Sequence, residues 1–191
     1  MVDLEKVKSG DQSEIGRLAR TVSVWVYNIV ISYLHNMEET EEVVQDTIMK
    51  TLNNVNQFKS ESTLKTWVVR IAINEAKDLL KYKNRKKRTG KIISINTDQK
   101  HSGLTIEIPV YRDPENILES REHLEVLYRG INQLPANQRL AITLMKLEHH
   151  SMKEVAKIME VTTKAVEGLV GRAKQNIIKY LDKTDIDFHK S

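Results

Sequence analysis

Residues 151–181 read SMKEVAKIMEVTTKAVEGLVGRAKQNIIKYL. Ser151 followed by Glu154 has the spacing of a capping box, so a helix is expected to open here. Val155, Ala156 and Met159 recur at helical spacing, the pattern breaks near Glu160, and Val166, Leu169, Val170 and Ala173 resume it, with Val161 expected to pack beside them. Two short helices that cross at a small residue, here Ala156, form the pattern of a helix-turn-helix, whose second helix enters a DNA groove. Helical pairs with no DNA role share this spacing, so the motif alone does not decide function. Two features run against it. Glu160 stands in the break, where a positive φ is common and glycine is favoured. Gly168 and Gly171 lie inside the second helix, where each costs about 1 kcal/mol of helix propensity. Those glycines read either as points of close backbone approach to a phosphate or partner, or as tolerated drift. The outward side of the second helix presents Thr163, Lys164, Glu167, Gly168, Gly171, Arg172 and Gln175, just after Thr162.

Upstream of this pair, helical spacing runs back through Pro135–Leu147 and through Ile117, Leu124, Leu127, Tyr128, Ile131 and Leu134 to a start at Asp113-Pro114-Glu115, with proline in the first turn. Between about Lys83 and Asp113 the periodicity lapses. KNRKKRTGK begins that stretch, and Ser, Asn, Thr and Gly follow among short β-like fragments, so residues 83–113 are expected to be an extended basic linker between two domains. Seven Lys or Arg and no acid between Lys81 and Lys91 favour contact with a nucleic acid over a merely solvated joint.

Three helices are expected in the N-terminal part. One opens at Asp11, with Glu14 in a capping-box position, and carries Ile15, Leu18, Ala19, Val22, Val26, Ile29, Val30 and Tyr33. A second begins after Thr40, with Glu41 and Glu42 in its first turn, and buries Val43, Val44, Thr47, Ile48, Thr51 and Leu52. A polar loop from Gln57 precedes a third, capped by Ser62 or Thr63 and running to about Tyr82, with Leu64, Trp67, Val68, Ile71, Ala76, Leu79 and Leu80 as its core stripe. Arg70, Asn74, Lys77 and Lys81 align on another of its faces, as a solvated row or a nucleic-acid contact.

Composition agrees with an all-α fold of two small helical domains: aromatics make up 5% of the chain and only three prolines occur. The absence of cysteine excludes disulfides, thiolate catalysis and Cys-based zinc sites. The N-terminal MVDLEKVKSGD has neither an apolar core nor a cleavage site, and no apolar run nears the roughly 20 residues of a membrane span, so a soluble cytoplasmic chain without membrane insertion is expected. A net charge of +4 permits a polyanionic partner. Glu148-His149-His150 has the composition of a metal site, but neighbouring histidines at a helix end point apart. Glu41, Glu42 and Asp46 lack a nucleophile or a pocket. No enzyme, metal, cofactor or small-molecule substrate is therefore expected. Trp67 lies on the apolar stripe and reads as core before it reads as a stacking platform.

EETEEVVQDTIMKTLNNVNQFKSESTLKTWVVRIAINEAKDLLK, residues 38–81, resembles the second region of bacterial RNA polymerase sigma factors of the extracytoplasmic function (ECF) type. The matching residues are Glu41, Glu42, Gln45, Phe58, Thr66-Trp67, Arg70-Ile71-Ala72 and Asn74. The C-terminal part resembles the fourth region of the same family through Leu134-Pro135, Gln138-Arg139, Glu154, Ala156 and Arg172-Ala173-Lys174. The resemblance implies a promoter-specific initiation factor that binds core RNA polymerase and promoter DNA, opens the minus-ten element, and associates with the nucleoid through the polymerase. It implies a region 2-like domain over 1–82 and a region 4-like domain over 114–182, followed by a short tail, 183–191.

The resemblance further implies that Glu41, Glu42, Gln45, Asp46 and Lys50 dock on the clamp helices of the largest core subunit. Lys59, Ser60, Ser62, Thr63, Leu64, Lys65, Arg70, Asn74, Lys77 and Lys81 would open and read the minus-ten element. Thr162, Thr163, Lys164, Glu167, Gly168, Gly171, Arg172 and Gln175 would read the minus-thirty-five element. Glu167 and Leu169 depart from the basic residues of many relatives, so the promoter sequence does not carry over; Glu167 either accepts from a cytosine amino group or sits at the rim. An anti-sigma partner is also implied, and it rather than direct contact is expected to hold the two domains together, because neither shows a surplus apolar face in this reading. Two other functions fit parts of the pattern: a DNA-binding regulator acting without core polymerase, and a decoy that sequesters a sigma inhibitor.

Overall fold

The structure is a computed structural model that describes residues 2–89 and 117–184, with side chains over 2–86 and 124–184. All the described regular elements are helical. The first is one that sequence periodicity misses: α1, Leu4–Lys8, a single turn capped by the Asp3 carboxylate. Helix α2, Gln12–Leu34, opens at Asp11, whose carboxylate accepts from the backbone of Ser13 and Glu14. The expected return bond from Glu14 to its own cap is replaced. Glu14 instead accepts from the Asp3 backbone N–H at 3.0 Å and pairs with Arg17 at 3.1 Å, which ties α1 to α2.

A left-handed His35 (φ 54°) ends α2, and Asn36 at once caps α3, Met37–Asn54. That start lies a turn before the expected one. Thr40 is inside the helix and fully buried, its hydroxyl bonded to the Asn36 carbonyl at 2.7 Å. Thr40, Thr47 and Thr51 make much of the buried face of α3; the Thr40 and Thr47 hydroxyls donate back to the Asn36 and Val43 carbonyls and so go under an apolar layer with little cost, whereas the Thr51 hydroxyl is buried with no partner among the described residues.

A short 3-10 turn, Val55–Gln57, leads to the loop before α4, Leu64–Thr89. Thr63 caps α4 as expected, accepting from the Thr66 backbone N–H. The helix continues past Tyr82, so residues 83–89 are helical rather than linker; residues 90–113, the remainder of the expected linker, lie outside the described residues, as does the expected start at Asp113. Its last turns are held on the rest of the bundle by an ion pair between Lys83 and Glu39 of α3. The core stripe of α4 is also shifted: Val68, Val69, Ala72, Ile73 and Ala76 are fully buried, while the expected Leu64, Trp67, Ile71, Leu79 and Leu80 are only partly covered.

The C-terminal part comprises α5, Ile117–Asn132; α6, Ala136–Ile142, followed by a π-helical turn, Thr143–Leu147; α7, Met152–Met159; and α8, Thr163–Leu181. The π turn changes the register after α6. Ile142 packs with Ile131, Leu134, Ala173 and Ile177, whereas Leu140, Ala141 and Leu144 join Val155, Ile158 and Val166 in the larger core. Gly130 of α5 is needed where α8 crosses: a Cβ there would lie 2.9 Å from the Tyr180 ring.

The two halves cover one another, which corrects the expectation that only an inhibitor would hold them together. α2 packs on α6 and α4 on α7, and among the described residues apolar side chains from both halves form one continuous core. The physical reason is visible in two runs, Ile29–Tyr33 and Arg139–Leu144, in which every residue is buried. One helix face cannot bury five or six successive residues, so each run must be covered on two sides. Arg139 pins the junction. Its Nε donates to the Ser32 carbonyl of α2, and its Nη1 donates to the carbonyls of Leu134 at 2.7 Å and Asn132 at 3.1 Å. Burial lowers its pKa to about 10, so it stays charged at neutral pH and shares its field with Tyr33.

Candidate polymerase and nucleic-acid interfaces

The acidic face of α3 is open. Glu41, Glu42, Gln45 and Asp46 are exposed because the opposite face supplies Val43, Val44 and Thr47 to the core. Lys50, also exposed, reaches Glu75 of α4 at 2.5 Å. This pair shows that the face does not stop at α3. Glu42, Val43 and Asp46 line a cleft of about 260 Å³ with Glu75, Asp78, Leu79 and Tyr82 of α4. Tyr82 is 57% exposed. The α4 members were missed in sequence, although Glu75, Asp78, Leu79 and Tyr82 have helical i, i+3, i+4, i+7 spacing that would have found them. Lys81 donates to Asp78 at 2.9 Å and holds that carboxyl below its ordinary pKa.

The loop before α4 and the polar row along it divide into two groups. Lys59, Ser60 and Thr63 are exposed and Ser62 half-buried, with Ser60 left-handed at φ 56°. Trp67 is half-buried and packs on Phe58, ring centroids 5.4 Å apart, so it belongs at the edge of the core. Leu64 is partly buried beside it. The other group faces α7. Lys65 donates to Glu148 at 2.8 Å, and Thr66, nearly inaccessible, donates to Glu154 at 2.8 Å. Arg70 and Asn74 both meet the same Glu160 oxygen, at 3.7 Å and 3.1 Å. Lys77 donates to the Met159 carbonyl at 2.8 Å, and burial holds its ammonium below the ordinary pKa. Of the expected α4 row, Arg70 and Lys81 are exposed, and Lys81 pairs with Asp78.

The α7–α8 pair has the geometry of a helix-turn-helix. Ser151 and Glu154 form the reciprocal capping box, and the hydrogen bonds from Ser151 and Thr66 push the Glu154 pKa down to about 2. Glu160 ends α7 in the left-handed region (φ 58°, ψ 45°), at a cost of roughly 1 kcal/mol for a residue with a Cβ. Thr162 caps α8, accepting from the Ala165 backbone at 3.1 Å. Val161 is 39% exposed rather than packed as expected, because it follows the sharp turn outward.

Thr162, Thr163, Lys164, Glu167, Gly171, Arg172 and Gln175 are exposed on one side of α8 and Gly168 is half-buried. An added Cβ at Gly171 meets nothing within 4 Å, and at Gly168 it meets only the mobile end of Arg172, so packing within the chain does not require either glycine. His149 is exposed at φ 57° while His150 is buried, with Nδ1 4.0 Å from Glu154; burial lowers the His150 pKa. Among the described residues no group of His, Cys, Asp or Glu is arranged to hold a metal ion, and no helix is long and apolar enough to cross a membrane.

Comparison with known proteins follows the same division of the chain. The family model described as Sigma-70 region 2 matches residues 18–86, and that described as Sigma-70, region 4 matches residues 124–177. The chain is 30% identical over 174 residues to the ECF RNA polymerase sigma-E factor of Escherichia coli strain K12, covering 91% of this chain and 90% of that protein. It is 28% identical over 177 residues to the protein of the same name from Haemophilus influenzae, with the same coverage. Among solved structures it resembles the sigma factor RpoE in complex with the anti-sigma factor NepR from Bartonella quintana, at 22% identity and a TM-score of 0.60, covering 90% of this chain and 96% of that one.

Proposed function

The chain belongs to the ECF sigma factors, which direct transcription initiation with RNA polymerase, and from that premise we propose how its surfaces divide the work. The open acidic face of α3, with Glu41, Glu42, Gln45, Asp46 and Lys50, is the dock for core polymerase, extended by Glu75, Asp78 and Tyr82 of α4. The exposed side of α8, with Thr162, Thr163, Lys164, Glu167, Gly168, Gly171, Arg172 and Gln175, reads the minus-thirty-five element in the major groove. The loop residues Lys59, Ser60, Ser62 and Thr63, with Leu64 and the row Lys65, Arg70, Asn74, Lys77 and Lys81, handle the minus-ten element, where an unstacked base is held once the duplex opens. The observation that carries this division is the charge separation within one bundle: carboxylates cluster on α3 and donors align along α4.

Residues 1–82 then serve as the region 2-like unit, extended by the helix to Thr89, and 114–182 as the region 4-like unit, with 183–191 as a tail. The protein works in the cytoplasm, at the nucleoid through polymerase. An anti-sigma partner is part of the proposal, since the structural relative at TM-score 0.60 was solved with one. Run-off transcription with core polymerase on genomic fragments tests the reading: added chain should create discrete promoter-specific transcripts. If no fragment ever yields one, the division of surfaces falls.

A further inference from the structure

Two histidines join the π turn to α7, and they face opposite ways. His149 is exposed in the left-handed region (φ 57°), whereas His150 is 7% exposed and lies immediately before the Ser151 cap of α7. The His150 backbone N–H donates to the Leu144 carbonyl at 2.9 Å, which anchors this joint to the π turn. Its ring is less well served. Nε2 is buried with no hydrogen-bond partner among the described residues, and Nδ1 stands 4.0 Å from the Glu154 carboxylate, beyond hydrogen-bond range. A neutral imidazole there leaves a polar atom unmet. A protonated one would bury a charged donor with no acceptor, which costs more.

The charges that act on the ring come from three places. Glu154 of α7 and Glu148 at the end of the π turn favour a proton on it, and Lys65 of α4 opposes one. Lys65 and Glu148 are paired at 2.8 Å, so their fields largely cancel, and Glu154 is already committed to the Ser151 cap and the Thr66 hydroxyl. Burial therefore prevails and holds the imidazole below its ordinary pKa. A histidine that takes a proton less readily folded than unfolded supports the fold fully above the ordinary 6.5, and that support is lost as pH falls below it.

We propose that His150 is a proton-operated joint at the entry to the helix-turn-helix, closed while its ring is neutral and loosened when the ring takes up a proton and turns out to water. The loosening is local. It reaches the Ser151–Glu154 capping box and the first turn of α7, where the Val155 amide donates to the Ser151 carbonyl at 2.9 Å. α8 follows α7 through the turn at residues 160–162, so the joint bears on the surface assigned to the minus-thirty-five element. That consequence rests on the assignment of α8 to DNA; the joint itself does not.

Proton NMR of the full-length chain follows the imidazole signals as pH is lowered. The signal missing from both His150→Leu and His150→Met, two apolar replacements of different shape, should titrate below 6.5. From about pH 7.5 to about 5.5, protection of the Val155 amide, corrected for intrinsic exchange, should fall several-fold, and at most about tenfold. Both apolar variants should hold it level. His149→Asn, which suits the left-handed position, should behave like the parent. This window lies above that of Glu154, whose carboxyl titrates near 2. A ring midpoint at or above 6.5, or equal falls in the parent and the apolar variants, would overturn the joint. Run-off transcription with core polymerase then gives the ratio of parent to His150→Leu, in which the pH dependence of core cancels, and this ratio should fall over the same range. A constant ratio beside falling Val155 protection would place the fault in the assignment of α8 to DNA, not in the joint.

Discussion

The faces of α3 and α4 are built alike and used differently. Each is a helix with an apolar stripe in the core and charged residues on another side, yet Glu41, Glu42 and Asp46 face solvent while Arg70, Asn74 and Lys77 face Glu160 and the end of α7. Periodicity finds a charged row equally well in both cases. Whether that row is free depends on what the far end of the chain does, and here the partners lie 82 and 86 residues away. A polar stripe is therefore a list of donors and acceptors; only packing says whether they are available.

The difference between α3 and α4 depends first on the two halves supporting each other. Arg139→Ala removes three bonds from a buried cation to carbonyls of both halves, and should cost about 3–5 kcal/mol in urea unfolding. A cost below about 1 kcal/mol would mean that the junction does not depend on it. Next, Ile73→Ala in α4 should cost about 3 kcal/mol and Leu79→Ala about 1–2, because Ile73 is fully buried between two layers while Leu79 is only partly covered. Equal costs would restore the one-sided stripe.

These two pairs also show what was legible. The helices and the capping box at Ser151 follow from spacing and cap chemistry, which act within a few residues. The acidic row of α3 was legible for the same reason. The two-sided burial of Ile29–Tyr33 and Arg139–Leu144 was harder to read, because a search for a single stripe keeps Ile29, Val30 and Tyr33 and sets Ile31 and Ser32 aside, and because Arg139 and Thr143 look like solvent-facing residues until their partners are known. α1 is too short for periodicity to register. Residues 83–89 read as linker because a helix polar on all sides has no stripe; an ion pair to Glu39 on another helix supports it instead. The contacts of Glu160 had no local signal beyond its awkward place in the turn.

A smaller effect is expected on the open face. Reversing charge at Glu41 and Asp46 should leave circular dichroism native and weaken capture of core polymerase about tenfold, since these side chains support no buried contact. Unchanged capture would remove α3 as the dock. The smallest effect concerns acid. The Glu154 carboxylate, held near pKa 2 against an ordinary 4.5, stabilises the fold above the ordinary value, and that contribution is lost as pH falls from about 4.5 towards 2. Glu154→Gln keeps the cap geometry, so its stability should fall less steeply over this window than that of the parent. Parallel curves would show that Glu154 is not the titrating group.

Whether the α4 row is available before core polymerase binds is read from promoter engagement with and without core. A promoter fragment recovered by run-off transcription, with its minus-ten segment opened to single strands, is titrated first with the chain alone and then with the chain bound to core. Weak, salt-sensitive binding is expected from the chain alone, and tight binding that protects the opened segment once core is present. Equal protection of that segment by the chain alone would mean that the contacts with Glu160 and the end of α7 do not withhold the row.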